Sequence, residues 1–218
     1  MFPLFIFVFY PSMKPLLIFL AFALAAILGT LQHELGHYIV AEAQGFDAEI
    51  HYSFTTLKNS KGLIAVAEQQ DSTQALYKKF NNNTLGGPAM TILTGTVGVI
   101  ALLILRRRNT IDAYKPLHLC WIIVALCWSR EIYTSSFRLY DHVMHNTSAS
   151  DETYLLQYNG IAALPGFISL FVISFSICAW VCFGLVQRHR WQLFCYGIAG
   201  SLAGAALWFG WLGRAVLP

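Results

Sequence analysis

Hydrophobic positions along the chain come in long blocks, and the polar positions between them come in blocks of unequal size. Apolar runs at about Leu16 to Val40, Gly86 to Leu105, Leu117 to Trp128, Leu164 to Val186 and Trp191 to Trp211 approach the length needed to cross about 30 Å of hydrocarbon. The third is short and ends in polar residues. The pattern predicts an all-α polytopic membrane protein with about five transmembrane helices. The first ten residues, MFPLFIFVFY, are also apolar but are separated from the first run by Pro11, Lys14 and Pro15. No positive region precedes them, as a cleaved signal would require, so residues 1–14 read as an apolar leader lying at the interface.

Between the first two spans, residues 45–85 form the longest polar block. DAEIHYSF alternates, placing Ile50, Tyr52 and Phe54 on one face and Glu49, His51 and Ser53 on the other. A turn at KNSKG and a second apolar stretch, LIAVA, complete an expected β-hairpin over Asp47 to Ala67. DSTQALYKKF then reads as a short interfacial helix capped by Asp71 or Ser72. With no internal repeat and no low-complexity linker, residues 1–218 form a single membrane-embedded domain.

Composition narrows the class without changing it. The chain has 218 residues, 56% of them hydrophobic and 11% charged, and its mean hydropathy is +0.55, outside the range of ordinary soluble domains. A formal charge of +3 with no basic-aromatic tract excludes nucleic acid as a partner. Arg106, Arg107 and Arg108 instead share a side with QRHR, Gln187 to Arg190, which the positive-inside rule calls cytoplasmic. The implied location is a multi-pass position in a bacterial-type cell membrane. The odd number of cysteines, five without a C-x-x-C pair, fits small buried hydrophobes better than disulfides.

One block breaks the apolar pattern. In GTLQHELGHYIVAEAQG, His33, Glu34 and His37 fall at the end of the first span and form H-E-x-x-H. On a helix, residues four apart differ by about 40° and stand about 6 Å apart along the axis, so both imidazoles can grip one ion. Glu34 points elsewhere and suits a general base. A zinc ion in such a site acidifies water to a pKa of roughly 7. Gly36 within this helix costs about 1 kcal/mol relative to alanine, which close approach by a neighbour would offset. Ionisable groups inside spans are costly enough to be read as functional first.

A catalytic zinc ordinarily has three protein ligands. The loop Ser135–Gly160 emerges on the same side of the membrane as the motif and offers Asp141, His142, His145, Asp151 and Glu152. Asp151 is favoured because it begins a helix-like run, with Asp141 its main competitor; an ordinary N-cap is the alternative role for Asp151.

These residues resemble the site-2 protease group of intramembrane zinc metalloproteases. HELGHYIVAEAQG carries the resemblance most specifically. LGGPAMTILTG, Leu85 to Gly95, looks like that family's Gly-Pro segment, and an acidic residue stands in a later loop. The resemblance implies His33, His37 and Asp151 as metal ligands, Glu34 as the catalytic base and Gly87, Pro88 and Thr91 as substrate-binding positions. It also implies hydrolysis of membrane-protein or peptide substrates in the bilayer. Thr91 stands where members often have asparagine, and neither Asp151 nor Asp141 precedes glycine, which marks a divergent branch or a member that has lost activity.

Other readings remain at this stage. A non-catalytic membrane protein of the same fold would bind a partner and tolerate Glu34→Gln. A metal carrier would use His33, His37, His142 and His145. Gly200 and Gly204 form G-x-x-x-G, a motif that serves either packing within the chain or a homodimer.

Overall fold

A computed structural model describes residues 3–58, 73–108, 110–144 and 150–218, with side chains omitted at 3–13, 73–75 and 77. It is mostly helical. In chain order the elements are α1 (Pro3–Ala43), β1 (Ala48–Ile50), β2 (Thr55–Leu57), α2 (Thr73–Arg106) and α3 (Pro116–Ala125). A 3-10 turn, Leu126–Trp128, joins α3 to α4 (Ser129–Val143). Then come α5 (Asp151–Tyr158), α6 (Ala163–Ala179), α7 (Arg190–Leu207) and α8 (Gly213–Val216), with π-helical turns extending α6 to Leu185 and linking α7 to α8.

Among the described residues four stretches are long and apolar enough to cross a membrane: Lys14–Ala43, Lys78–Arg106, Ala163–Leu185 and Arg190–Val216. Leu20, Leu24 and Leu28 form an outward row on α1 at helical spacing, as a lipid-facing surface should. The run Leu117–Trp128, expected to be a fifth span, falls on α3 and the 3-10 turn. The helical path continues from there into α4, which carries Arg130, Glu131, Arg138 and Asp141.

Three expected boundaries shift. The apolar leader is helical from Pro3 onward and continuous with α1. Among the described residues the expected interfacial helix is not separate from the second span, because α2 runs unbroken from Thr73 through Arg106; its expected caps, Asp71 and Ser72, lie outside the described residues. The hairpin turns early: Ala48 pairs with Leu57 and Ile50 with Thr55, so Thr55–Leu57 supplies the second strand. Most of KNSKG and all of LIAVA lie outside the described residues.

The early turn has a tertiary cause. Tyr52 N–H donates to the Leu217 carbonyl at 3.2 Å, and the Tyr52 carbonyl accepts from Trp208 Nε1 at 2.7 Å. Both backbone groups are therefore satisfied far from any ladder partner.

α1 ends in a Schellman motif. Phe46 N–H donates to the Ala41 carbonyl and Gly45 N–H to the Glu42 carbonyl, both at 3.0 Å, while Gly45 takes φ +81°, a conformation that favours glycine. Phe46 then packs with Ala41 and Ala48 and stacks on Phe80 at 5.4 Å. The reversal folds the hairpin back along the motif-bearing end of α1.

The main apolar core lies at the opposite end, where Ile18, Leu102, Ile111, Ile122, Leu185 and Leu193 are buried together. There the backbone of Asp112 pairs with that of Arg188, and His189 Nδ1 lies 2.9 Å from Asp112 Oδ1. Gly200 and Gly204 are buried against the backbone of α1 at Phe19 and Ala23. Their small faces are thus used for packing within the chain.

Candidate metal centre

His33 and His37 stand one turn apart on α1, both buried. Close contact between α1 and α2 sets their depth. A Cβ on Gly36 would strike the Gly86 carbonyl, and one on Gly86 would strike Gly36 in return. Glycine at both positions therefore permits an approach that offsets its helical penalty. Gln32 Nε2 adds a hydrogen bond to Thr94 Oγ1 across the same seam.

Gly87 faces the site itself, since a Cβ there would meet Nε2 of both histidines. Pro88 follows, buried inside α2, and removes one N–H from the helical ladder. In the turn before it, the Asn83 carbonyl accepts from His37 Nδ1 at 2.8 Å. A carbonyl can only accept, so Nδ1 carries the proton and Nε2 presents a lone pair. The Gly87 N–H also approaches Nδ1, but at 3.4 Å; the shorter contact to a compulsory acceptor decides the tautomer.

His33 follows the same logic through Thr91. The Thr91 hydroxyl donates to the Gly87 carbonyl at 3.1 Å, leaving its oxygen to accept from His33 Nδ1 at 3.1 Å. His33 Nε2 is thereby left free of a proton. Thr91 is buried and touches a ligand ring; its hydroxyl is occupied with orienting His33.

The third group comes from the far end of the chain. Ser150 caps α5, accepting from Thr153 N–H at 3.3 Å, and Asp151 occupies the first helical turn, where the helix dipole favours a carboxylate. Asp151 Oδ2 lies 3.2 Å from His33 Nε2 and 3.0 Å from His37 Nε2, and those nitrogens are 3.2 Å apart.

The three atoms thus form a nearly equilateral triangle. Tetrahedral zinc with bonds near 2.05 Å would space its ligands about 3.3 Å apart. Two imidazole lone pairs and one carboxylate oxygen directed at one point repel each other unless a cation sits among them. This donor set fits zinc.

The competing loop residues lie elsewhere. Asp141 pairs with Arg138 at 3.0 Å, and His142 is exposed on the last turn of α4. His145 lies outside the described residues. Glu152 is buried but is not among the three converging groups.

Glu34 is 3% exposed, and the hairpin reaches it: Thr55 Oγ1 lies 3.1 Å from both the Glu34 carbonyl and its Oε2. With one proton, that hydroxyl donates to one of them at a time. Neither Thr55, some twenty residues downstream, nor the backbone carbonyl of Asn83 announces itself in the sequence. Comparison with protein-family models, with curated proteins and with solved structures finds no match for this chain.

Proposed function

We propose that this chain is a multi-pass intramembrane zinc metalloendopeptidase of site-2 protease type, hydrolysing peptide bonds of membrane-associated substrates. The convergence of two deprotonated Nε2 atoms and Asp151 Oδ2 within 3.2 Å, inside a bundle of apolar helices, carries this reading. Zinc held by His33, His37 and Asp151 would supply Lewis acidity and acidify water.

The chain's own residues supply the rest. Thr91 and the Asn83 carbonyl hold each imidazole in the tautomer that leaves Nε2 unprotonated, as outer partners of metal ligands do. Glu34, one residue beyond His33 and buried beside the Thr55 hydroxyl, takes a proton from water and returns it to the leaving amine. Thr55 aims that carboxylate. Gly87 keeps the face of the histidines clear, and the side chain of Asp151, 35% exposed, marks the edge through which water reaches the site.

The reading includes a fifth crossing through α3, the 3-10 turn and α4. Asp112 meets Arg188 and Lys14 lies over the Tyr114 ring, so the start of this path belongs to the core end. Asp151, soon after it, lies against the motif of α1. These contacts support a path that joins opposite ends of the bundle.

The test uses purified protein in detergent with a library of single-span peptides, reading products by mass spectrometry in water enriched in oxygen-18. Hydrolysis with incorporation of the label is expected, and Glu34→Gln should reduce it by about 10²-fold or more while zinc remains bound. Cleavage unchanged in Glu34→Gln contradicts the base assignment. Zinc binding without cleavage in the parent favours the non-catalytic alternative.

A further inference from the structure

The hairpin that reaches Glu34 is anchored at both of its ends. At the root, Ala48 N–H donates to Glu42 Oε1 at 3.1 Å and Lys58 N–H to the Asp47 carbonyl at 2.8 Å, so α1 helps to fix where the strands begin. At the tip, the partners come from the far end of the chain. Trp208 Nε1 donates to the Tyr52 carbonyl at 2.7 Å, Tyr52 N–H donates to the Leu217 carbonyl at 3.2 Å, and Arg214 Nε donates to the Tyr52 hydroxyl at 3.2 Å.

The surroundings of Trp208 are shaped to this contact. The side chain is nearly enclosed, at 3% exposed for the residue, and an indole N–H can only donate, so burial obliges it to find an acceptor. At this residue α7 passes into the π-helical turn Trp208–Leu212, a rare departure from α geometry that gathers at functional sites. Gly213 completes the fit, because a Cβ there would meet the Trp208 carbonyl at 2.7 Å and Tyr52 Cβ at 3.0 Å.

The tip is also the part of the hairpin nearest the carboxylate. His51 N–H donates to the Phe54 carbonyl at 2.9 Å, which closes the turn around Tyr52. The next residue is Thr55, paired with Ile50 in the ladder, and its Oγ1 stands 3.1 Å from Glu34 Oε2. A short closed turn therefore links the indole to the carboxylate through contacts at every step.

We propose that Trp208 is a positioning residue of the hydrolytic centre: by holding the Tyr52 carbonyl it fixes the hairpin tip and keeps the Thr55 hydroxyl against Glu34. Trp208 acts through the hairpin, and this role rests on Glu34 being the base of the proposed reaction. A hairpin released at its tip but held at its root lets Thr55 swing while Leu57 stays in place. Misplacing a reacting group by about 1 Å costs up to about 10²-fold in rate.

Trp208→Phe keeps an aromatic ring and deletes the N–H. In zinc-loaded protein in detergent, kcat for a single-span peptide should fall about tenfold, with KM within about twofold of the parent, because the loss falls on the reacting geometry. Thr55→Val should also lower kcat, and the double variant should be no slower than Thr55→Val, since the indole acts through that hydroxyl. Hydrogen exchange reads the placement without activity. In Trp208→Phe the His51 amide should exchange at least about threefold faster, as loss of one hydrogen bond implies, while the Lys58 amide at the root keeps its rate. Losses that multiply in the double variant, a defect confined to KM, unchanged exchange at His51, or equally faster exchange at Lys58 would each overturn the proposal. A parent that cleaves no peptide counts against the hydrolase reading, and exchange at His51 and Lys58 then decides by itself whether Trp208 holds the tip.

Discussion

At the scale of single residues, the histidine centre depends on where protons sit. Thr91 matters because its hydroxyl is spent on the Gly87 carbonyl and so must accept from His33. Thr91→Val preserves the shape and removes that acceptor. Zinc affinity should fall by about ten- to a hundredfold, with the fold intact by circular dichroism; equilibrium dialysis against a zinc buffer measures it. Unchanged affinity would mean that packing alone orients His33. His33, Glu34 and His37 were legible as a motif because all three lie on one helix, where spacing determines direction. Asp151 was legible only as one acid among several. What distinguishes it is a helix start delivered by tertiary packing, and Asp141 drops out because Arg138 is within its reach.

At the scale of elements, apolar runs gave reliable helices, and the errors lie where distant partners intervene. Alternation over DAEIHYSF implied a strand through Phe54, but Trp208 and Leu217 take the backbone groups of Tyr52 and the chain turns there instead. Nothing local in the sequence encodes that competition. The loops at the core end offer a separate test. Burial alone would raise the Asp112 carboxyl, but the Tyr114 N–H and His189 beside it hold it below its ordinary value. A carboxylate lowered in this way adds stability that is complete above about pH 4 and is lost as pH falls through the lowered value. Thermal unfolding in detergent should therefore show Asp112→Asn below the parent at pH 6, with the gap closing as pH drops below about 4. A gap constant with pH would exclude the charge of the Asp112 carboxylate as its source.

At the scale of the whole molecule, the apolar core and the histidine centre occupy opposite ends of the bundle. One end is held by aliphatic packing; the other keeps polar groups among helices. Among the described residues four helices are long and apolar enough to cross a membrane, whereas the proposed path through α4 carries charges. Glu131 is buried, Arg138 and Asp141 are paired, and polar residues facing inward are compatible with crossing. Reporter cysteines in a cysteine-free background can test the arrangement with a membrane-impermeant maleimide. Lys58→Cys and Asn159→Cys should label from one side of the membrane, and Arg108→Cys and Arg188→Cys from the other. Labelling of Arg108→Cys and Asn159→Cys from the same side would remove the fifth crossing.

The central claim is that His33, His37 and Asp151 form one metal centre, and metal content of the purified protein tests it most directly. Elemental analysis after dialysis against buffered zinc should find one zinc per chain in the parent and in Asp141→Ala, and little in Asp151→Ala. Zinc retained in full by Asp151→Ala, or absent from the parent, would contradict the account.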